Sequence, residues 1–276
     1  MGEGPELEPA SVVTLLTDFG LVDPFVGMMK GVMLELNPKL QIVDLCHSIE
    51  RQNVREAAFK LMVSCRYFPR GTIHLAAVDP GVGTQRKILA CQTERHFFLG
   101  PDNGLLSPVL EREGLRRCVA VTNSAYFLKP VSRTFHGRDI FAPVAAHLTL
   151  GVPLSELGPP DSLSQWVHFP KARQADEHTL LGEVLSIDRF GNLMTNLDEE
   201  GIRRLMGETA VAEVRIAGTT IEGLSAGYAA EHPGILLSII GSSGFLEIAL
   251  NLGSAREFLR VDVGAPVDVR AKSASA

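Results

Sequence analysis

Three apolar runs of strand length, residues 12–16, 40–45 and 72–77, alternate with two stretches whose apolar residues recur at helical spacing. Val26, Met29, Met33 and Leu36 carry the first helical stripe; Val54, Ala57, Ala58, Leu61 and Met62 carry the second. Asp23 and Pro24 supply an N-cap and an N1 proline to the first helix, Asn37-Pro38 stops it, and Asn53 caps the second. This order leaves few options, because parallel strands need crossover connections and the crossovers cover the sheet faces. The expected fold is therefore α/β, with an N-terminal domain built on a central, mainly parallel sheet flanked by helices. Such sheets bind ligands in the crevice outside the carboxyl ends of their strands.

The third run leads into Val78-Asp79-Pro80-Gly81-Val82-Gly83-Thr84-Gln85-Arg86. Asp79 stands at the strand's end, the glycines let backbone approach a ligand closely, and Arg86 returns within pairing distance of Asp79. Read blandly, the same stretch is a tight hairpin with a surface ion pair. Residues 88–91 and 96–99 then form an expected hairpin, Pro101-Asp102-Asn103-Gly104 a turn before a short helix, and residues 118–122 a further strand. Ser132-Arg133-Thr134-Phe135-His136-Gly137-Arg138-Asp139 opens a helix through Phe141, Val144, Ala145 and Leu148. Prolines, polar residues and the lone Trp166 change the texture beyond Gly158, and short strands separated by glycines follow. The expected organisation is a disordered tail at 1–10, the α/β domain at 11–158 and a linker at 159–174. A smaller antiparallel β barrel or sandwich occupies 175–276.

With 276 residues, 45% hydrophobic and 21% charged, the chain can bury a sizeable core. A net charge of −6 argues against nucleic acid or an anionic membrane as partner. No apolar run approaches the roughly 20 residues of a transmembrane helix, and the acidic, Pro/Gly-rich first ten residues lack the apolar core of a signal peptide. The four cysteines, Cys46, Cys65, Cys91 and Cys118, form no CxxC pair. They read as reduced core thiols of a cytoplasmic protein, and not as a zinc site or disulfide framework.

Four loops collect polar residues on one expected sheet edge: Asp18, His47, Asp79 with Arg86, and His136 with Asp139. Asp18 serves either as a turn cap or as an acceptor for a ribose diol. His136 is either a satisfied, half-buried imidazole or a partner to a polarised water beside Asp79 and Arg86. Asp139 is expected to pair with Arg138 or cap its helix, and His47 is ambiguous. A calcium-dependent nucleoside hydrolase is the first rival, but a hard cation needs several oxygen ligands and Arg86 would repel it. The chain has no D-x-D pair beside Asp79 and no H-E-x-x-H, G-x-S-x-G or Walker motif. No metal ligands are assigned.

Taken in order, these motifs resemble the S-adenosyl-L-methionine hydrolases (adenosine-forming), the hydroxide adenosyltransferases related to fluorinase and chlorinase. The resemblance runs through Thr17-Asp18-Phe19-Gly20, Cys46-His47-Ser48-Ile49, Asn53-Val54-Arg55-Glu56-Ala57-Ala58 and residues 78–86. It continues through Gly100-Pro101-Asp102-Asn103-Gly104, Thr134-Phe135-His136-Gly137-Arg138-Asp139, Asp188-Arg189-Phe190-Gly191-Asn192 and Gly244-Phe245-Leu246-Glu247-Ile248-Ala249. It implies a catalytic set at Asp79, Arg86 and His136, and ribose binding by Asp18. Phe135 is implied to flank ribose or adenine, and Asp188 and Ser242 to hold the methionine end with Asn192 nearby. The adenine is implied to meet a neighbouring subunit's backbone over residues 243–255, including Asn251. Homotrimers with sites at subunit interfaces are implied too, with S-adenosylmethionine as substrate and no cofactor. The halogenases carry a tyrosine where Asp79 stands, so water is the implied nucleophile; Ser243 stands where fluorinase has arginine.

The chemistry fits independently. The ribose C5′ bears a sulfonium that leaves as neutral methionine without a general acid. What remains is to orient and partly deprotonate a water in a dry pocket. Two accounts are open: Asp79 takes the water's proton, or Arg86 and His136 stabilise hydroxide-like charge while Asp79 orients it. A non-catalytic S-adenosylmethionine sensor is a further reading, against which the intact Asp79-Arg86-His136 set counts.

Overall fold

The computed structural model describes residues 7–207 and 210–273. The chain divides into two compact units, Met1–His168 and Phe169–Ala276, and the division falls inside the stretch expected to link the domains. No helix among the described residues is long and apolar enough to cross a membrane.

The first unit runs β1 (Val12–Thr17), α1 (Phe25–Leu36), β2 (Gln41–Cys46), α2 (Val54–Ser64), β3 (Ile73–Ala77), β4 (Ile88–Gln92) and β5 (Phe97–Pro101). It ends with α3 (Ser107–Glu113), β6 (Arg117–Ala120), α4 (Ala142–Thr149) and α5 (Leu154–Leu157). The strands lie in the order β2-β1-β3-β5-β4-β6. β1 pairs in parallel with β2 and β3, and β3 with β5, whereas β4 is antiparallel to β5 and β6. Only β4 runs against the rest, so the mainly parallel sheet is found, with the 88–99 hairpin supplying the reversal. Period-two alternation loads both faces. Leu15 and Leu75 join Met29, Met33 and Val144 in one core; Leu16 and Ala76 join Leu61, Leu106 and Val109 in the other.

Local signals explain most element ends. The Asn53 side chain accepts from Glu56 N–H at 3.0 Å and starts α2. α1 begins at Phe25 with Pro24 in the cap position and no side-chain cap, one residue later than the Asp23 reading. Of the expected tail, residues 1–6 lie outside the described residues. Residues 7–10 do not form the expected tail: Leu7 is buried in the first core and Ala10 N–H donates to Gly71 O at 2.8 Å. Much of the expected linker is likewise pinned. Ser164 donates through N–H and Oγ to Asp102, and Val167 N–H donates to Ser107 Oγ.

The second unit comprises β7 (Arg173–Asp176), β8 (Thr179–Ile187), β9 (Leu193–Asp198), α6 (Glu199–Met206), β10 (Ala210–Ile216) and β11 (Thr219–Glu222). β12 (Leu236–Ile240), β13 (Phe245–Leu250), α7 (Ala255–Leu259) and β14 (Pro266–Ser273) complete it. Its antiparallel sheet follows β11-β10-β14-β8-β9-β13-β12, with β7 on β8. The ends approach closure, since Ser225 N–H donates to Ser238 O at 2.7 Å and Ser238 Oγ to Gly223 O at 2.6 Å. This is the barrel-like form expected, around Val184, Leu193, Val214, Leu246 and Val269. β7, β11 and α7 are additions that short polar sequence did not announce.

Candidate active site

β3 ends at Ala77 and Val78 is buried behind it, which carries Asp79 just beyond the sheet edge. The chain then folds on itself: Val82 N–H donates to Asp79 O at 3.2 Å and Thr84 Oγ to Gly81 O at 2.7 Å. Gly83 has φ +79, and a Cβ there would stand 2.2 Å from Arg133 O. The 79–86 turn and the segment before His136 can therefore touch only through a glycine.

The turn returns Arg86 onto Asp79. Arg86 Nε donates to Oδ1 at 2.9 Å and to Oδ2 at 2.8 Å, and Nη2 reaches Oδ2 at 2.5 Å. The same Nη2 lies 2.8 Å from His136 Nδ1. A guanidinium can only donate, so Nδ1 is the acceptor and the ring proton sits on Nε2. Burial, then the Arg86 charge, hold the His136 imidazole below its ordinary pKa, which agrees with this neutral tautomer. Side-chain exposure is 8% for Asp79 and 11% for Arg86, so the pair is more than the surface ion pair of the bland reading. Arg86 also lies over the Phe141 ring, 5.9 Å from its centroid.

A π-turn, Gly137–Phe141, opens α4 and fixes His136 at its start. Asp139, fully buried, is taken by Arg138 Nε at 2.6 Å and Ser132 N–H at 2.7 Å. It anchors the loop, as its pairing with Arg138 led one to expect. Phe135 meets Phe25 at 5.3 Å and Phe19 at 6.0 Å between ring centroids, edge to face, and Arg138 lies 5.2 Å over its ring. A Cβ on Gly137 would stand 3.2–3.4 Å from Met29, Phe135 and Phe19, so the aromatic group packs directly on the turn that holds His136.

Asp18 follows β1, the strand beside β3, so it shares an edge with Asp79. Its Oδ2 accepts from Gln52 N–H at 2.8 Å, and Gln52 has φ +64. Among the described residues its Oδ1 has no hydrogen-bond partner. His47 resolves as structural: Nδ1 lies 2.8 Å from Thr17 Oγ1, and its carbonyl accepts from Gly20 N–H. It braces the loop that carries Asp18.

In the second unit, Asp188 and Asn192 hold each other. Asp188 Oδ1 accepts from the N–H groups of Phe190 and Asn192 at 2.8 and 2.9 Å, and Oδ2 accepts from Asn192 Nδ2 at 2.9 Å. Ser242 lies in the exposed turn before β13, and Asn251 follows β13, its Nδ2 donating to Glu231 O at 2.7 Å. Glu247 was not singled out on sequence. Burial, with Asp188 adding, raises its pKa, although Tyr228 OH donates to it at 2.6 Å. The available signal was an acid inside the apolar run of β13. Phe19 and Phe25, also missed, carried the weaker signal of aromatics flanking Asp18.

The sequence profile of the SAM hydroxide adenosyltransferase N-terminal domain matches residues 13–158, and that of the C-terminal domain matches residues 182–268. The chain belongs to this family. Among family relatives, it is 40% identical to the (R)-S-adenosyl-L-methionine hydrolase of Thermus thermophilus, over 92% of this chain and 98% of that protein. A fluorinase of Nocardia brasiliensis is more distant, at 27% identity over 94% and 96%. An uncharacterized conserved protein of Thermotoga maritima, solved by crystallography, superposes with a TM-score of 0.88 at 37% identity, over 94% and 99%.

Proposed function

We propose that this chain hydrolyses S-adenosyl-L-methionine to adenosine and L-methionine. The observation that carries the reading is the chain of contacts from Asp79 through Arg86 to His136, in a family whose 40%-identical relative is a hydrolase of that substrate. The water oxygen forms a bond to ribose C5′ as the C5′–S bond breaks. The bond's electron pair leaves on sulfur, and the water's surplus proton passes to Asp79 or to solvent. Methionine departs as a neutral thioether.

Among the two accounts of water activation, the geometry favours electrostatics. Arg86 already donates to both oxygens of Asp79, whereas the neutral His136 keeps its Nε2–H for an oxygen nucleophile. The Arg86 charge, acting through the imidazole it donates to, and the Nε2–H on the far side of that ring favour hydroxide-like charge in a partly buried site. The guanidinium also stands where a cation beside Asp79 would have to lie, which supports a reaction with no metal at this site and no cofactor beyond the substrate. Within the proposal, Asp18 uses Oδ1 for the ribose diol, Phe135 lines the sugar or base, and Asp188, Asn192, Ser242 and Asn251 belong to the substrate-binding set. Homotrimeric assembly in the cytoplasm completes it.

Incubation of the purified, chelator-treated protein with S-adenosylmethionine, followed by chromatography, is expected to yield adenosine and methionine in equal amounts. Binding without adenosine release would favour the sensor reading. Activity regained only with calcium would favour the nucleoside hydrolase.

A further inference from the structure

A second polar cluster lies in the first unit, on the sheet edge opposite Asp79. Cys65 follows α2, His96 immediately precedes β5 and Glu113 ends α3; one donor atom from each lies within 4.8 Å of the other two. β3 and β5 run parallel with Ile73 beside Phe97. His96 is thus at the amino edge of these strands, and Asp79 beyond their carboxyl edge.

The hydrogen bonds around the cluster orient its lone pairs inward. His96 Nε2 lies 3.3 Å from Phe68 O; a carbonyl can only accept, so Nε2 carries a proton and Nδ1 is the nitrogen left to meet Glu113. That Nδ1 faces Glu113 Oε1 at 2.8 Å, and Cys65 Sγ lies 3.4 Å from the same oxygen. Thr93 Oγ1 donates to the other carboxylate oxygen, Oε2, at 2.7 Å. A bare imidazole nitrogen and a carboxylate oxygen at 2.8 Å repel unless a positive centre lies between them. That centre is either a proton or a metal ion.

We propose that Cys65, His96 and Glu113 bind one zinc-like divalent cation, with the fourth position open to the adjoining cleft. Thiolate, imidazole and carboxylate are the donor types of borderline divalent metals, and three protein donors plus one open place suit tetrahedral zinc. Hard cations such as calcium want several oxygens and find one carboxylate here. Each of two ligands already has the outer partner that metal ligands use: Phe68 O for His96 and Thr93 Oγ1 for Glu113. A cleft of about 280 Å³, lined by Met62, Cys65, Arg66, Glu94, Arg95, Arg112 and Glu113, gives entry and room for a water.

Charge balances. Without metal, the Cys65 thiol keeps its proton and donates it to Glu113 Oε1, and one further proton lies between His96 and Glu113. Binding releases both protons as the dication enters, so the cluster stays neutral and the surrounding arginines meet no added charge. The ion would tie the end of α2, the start of β5 and the end of α3 together. Three segments remote in sequence supply the donors, which is why no CxxC-like spacing announces them.

The test uses the full chain in a Cys46→Ser background, stripped with chelator and reloaded with zinc or cobalt. One equivalent of zinc is expected to survive gel filtration and to raise Tm. The cobalt form is expected to show a near-ultraviolet thiolate charge-transfer band together with tetrahedral visible bands. Cys65→Ser should lose the charge-transfer band, and Glu113→Gln should weaken zinc retention at least tenfold. Retention of no more than a trace of zinc overturns the proposal and leaves a proton as the bridge. A cobalt spectrum of the unsubstituted cluster without a thiolate band overturns it equally, and needs no substitution within the cluster.

Discussion

Arg86 shares one guanidinium between a carboxylate and an imidazole, and that sharing decides what each partner can do. Asp79→Ala removes the group that holds Arg86 against His136, so single-turnover hydrolysis should fall at least roughly a hundredfold, the usual scale for a positioned acid–base group. Asp18→Asn should act on binding instead. The amide oxygen can still accept from Gln52 N–H, but the charged acceptor for ribose is lost, and charge-assisted bonds contribute about 1.5–3 kcal/mol each. Calorimetric adenosine affinity should drop at least tenfold; unchanged affinity would remove Asp18 from the site. His136 sets the pH response. Its folded pKa lies below the free value of 6.5, through burial first and the Arg86 charge second. The neutral, active tautomer therefore persists through neutral pH, and turnover should fall only as pH drops below 6.5 through the depressed value. Protonation puts a hydrogen on Nδ1 facing Arg86. A pH–rate profile with its acid limb above 6.5, or one unchanged in His136→Asn, would contradict the assignment.

Elements place these groups, and the sequence announces them unevenly. The β-α-β-α-β order is legible because each element carries its own periodicity and stop signals. Asp79 and Arg86 are legible as a pair because a turn returns one onto the other seven positions on. The bond from Arg86 to His136 spans fifty positions, and no local pattern encodes it; the loop pattern offered His136 only as one of two readings, and the resemblance implied its place in the set. The same holds for Gln52 beneath Asp18, 34 positions away, whereas the Asp188 carboxylate closes its own loop through Phe190 and Asn192. Gly83 shows how a local residue serves a long-range contact. Gly83→Ala forces a Cβ against Arg133 O at 2.2 Å, whereas Gly151→Ala, at a similar positive φ of +87, meets nothing within 4 Å. Both substitutions carry a left-handed backbone penalty of roughly 1–2 kcal/mol. Gly83→Ala should cost more in chemical denaturation and should also lower turnover, because the turn carrying Arg86 must move. Equal stability losses with native turnover in both would show that the two loops are not mutually constrained.

At the scale of the whole molecule, the proposed homotrimer needs a contact surface, and apolar side chains lie exposed beside Asp18. Immediately after the Asp18 loop, Leu21 is 71% exposed and Val22 is 99% exposed; Phe25 and Met28, one helical turn further, are also open. Exposed apolar side chains grouped in sequence beside a candidate site are the kind of surface that a partner covers. A homotrimer would use it at each of three equivalent interfaces, since closed cyclic symmetry repeats one contact around an axis. Light scattering at working concentration should then report about three times the 29.9 kDa chain mass. Val22→Asp places a charge in the patch without touching Asp79, Arg86 or His136, so the isolated chain should remain folded by circular dichroism while the assembly dissociates. If a neighbouring subunit completes each site, turnover at low protein concentration should fall with dissociation and recover partly as concentration rises. A fully active monomer, or a Val22→Asp variant that dissociates yet keeps native turnover, would place the complete site within one subunit.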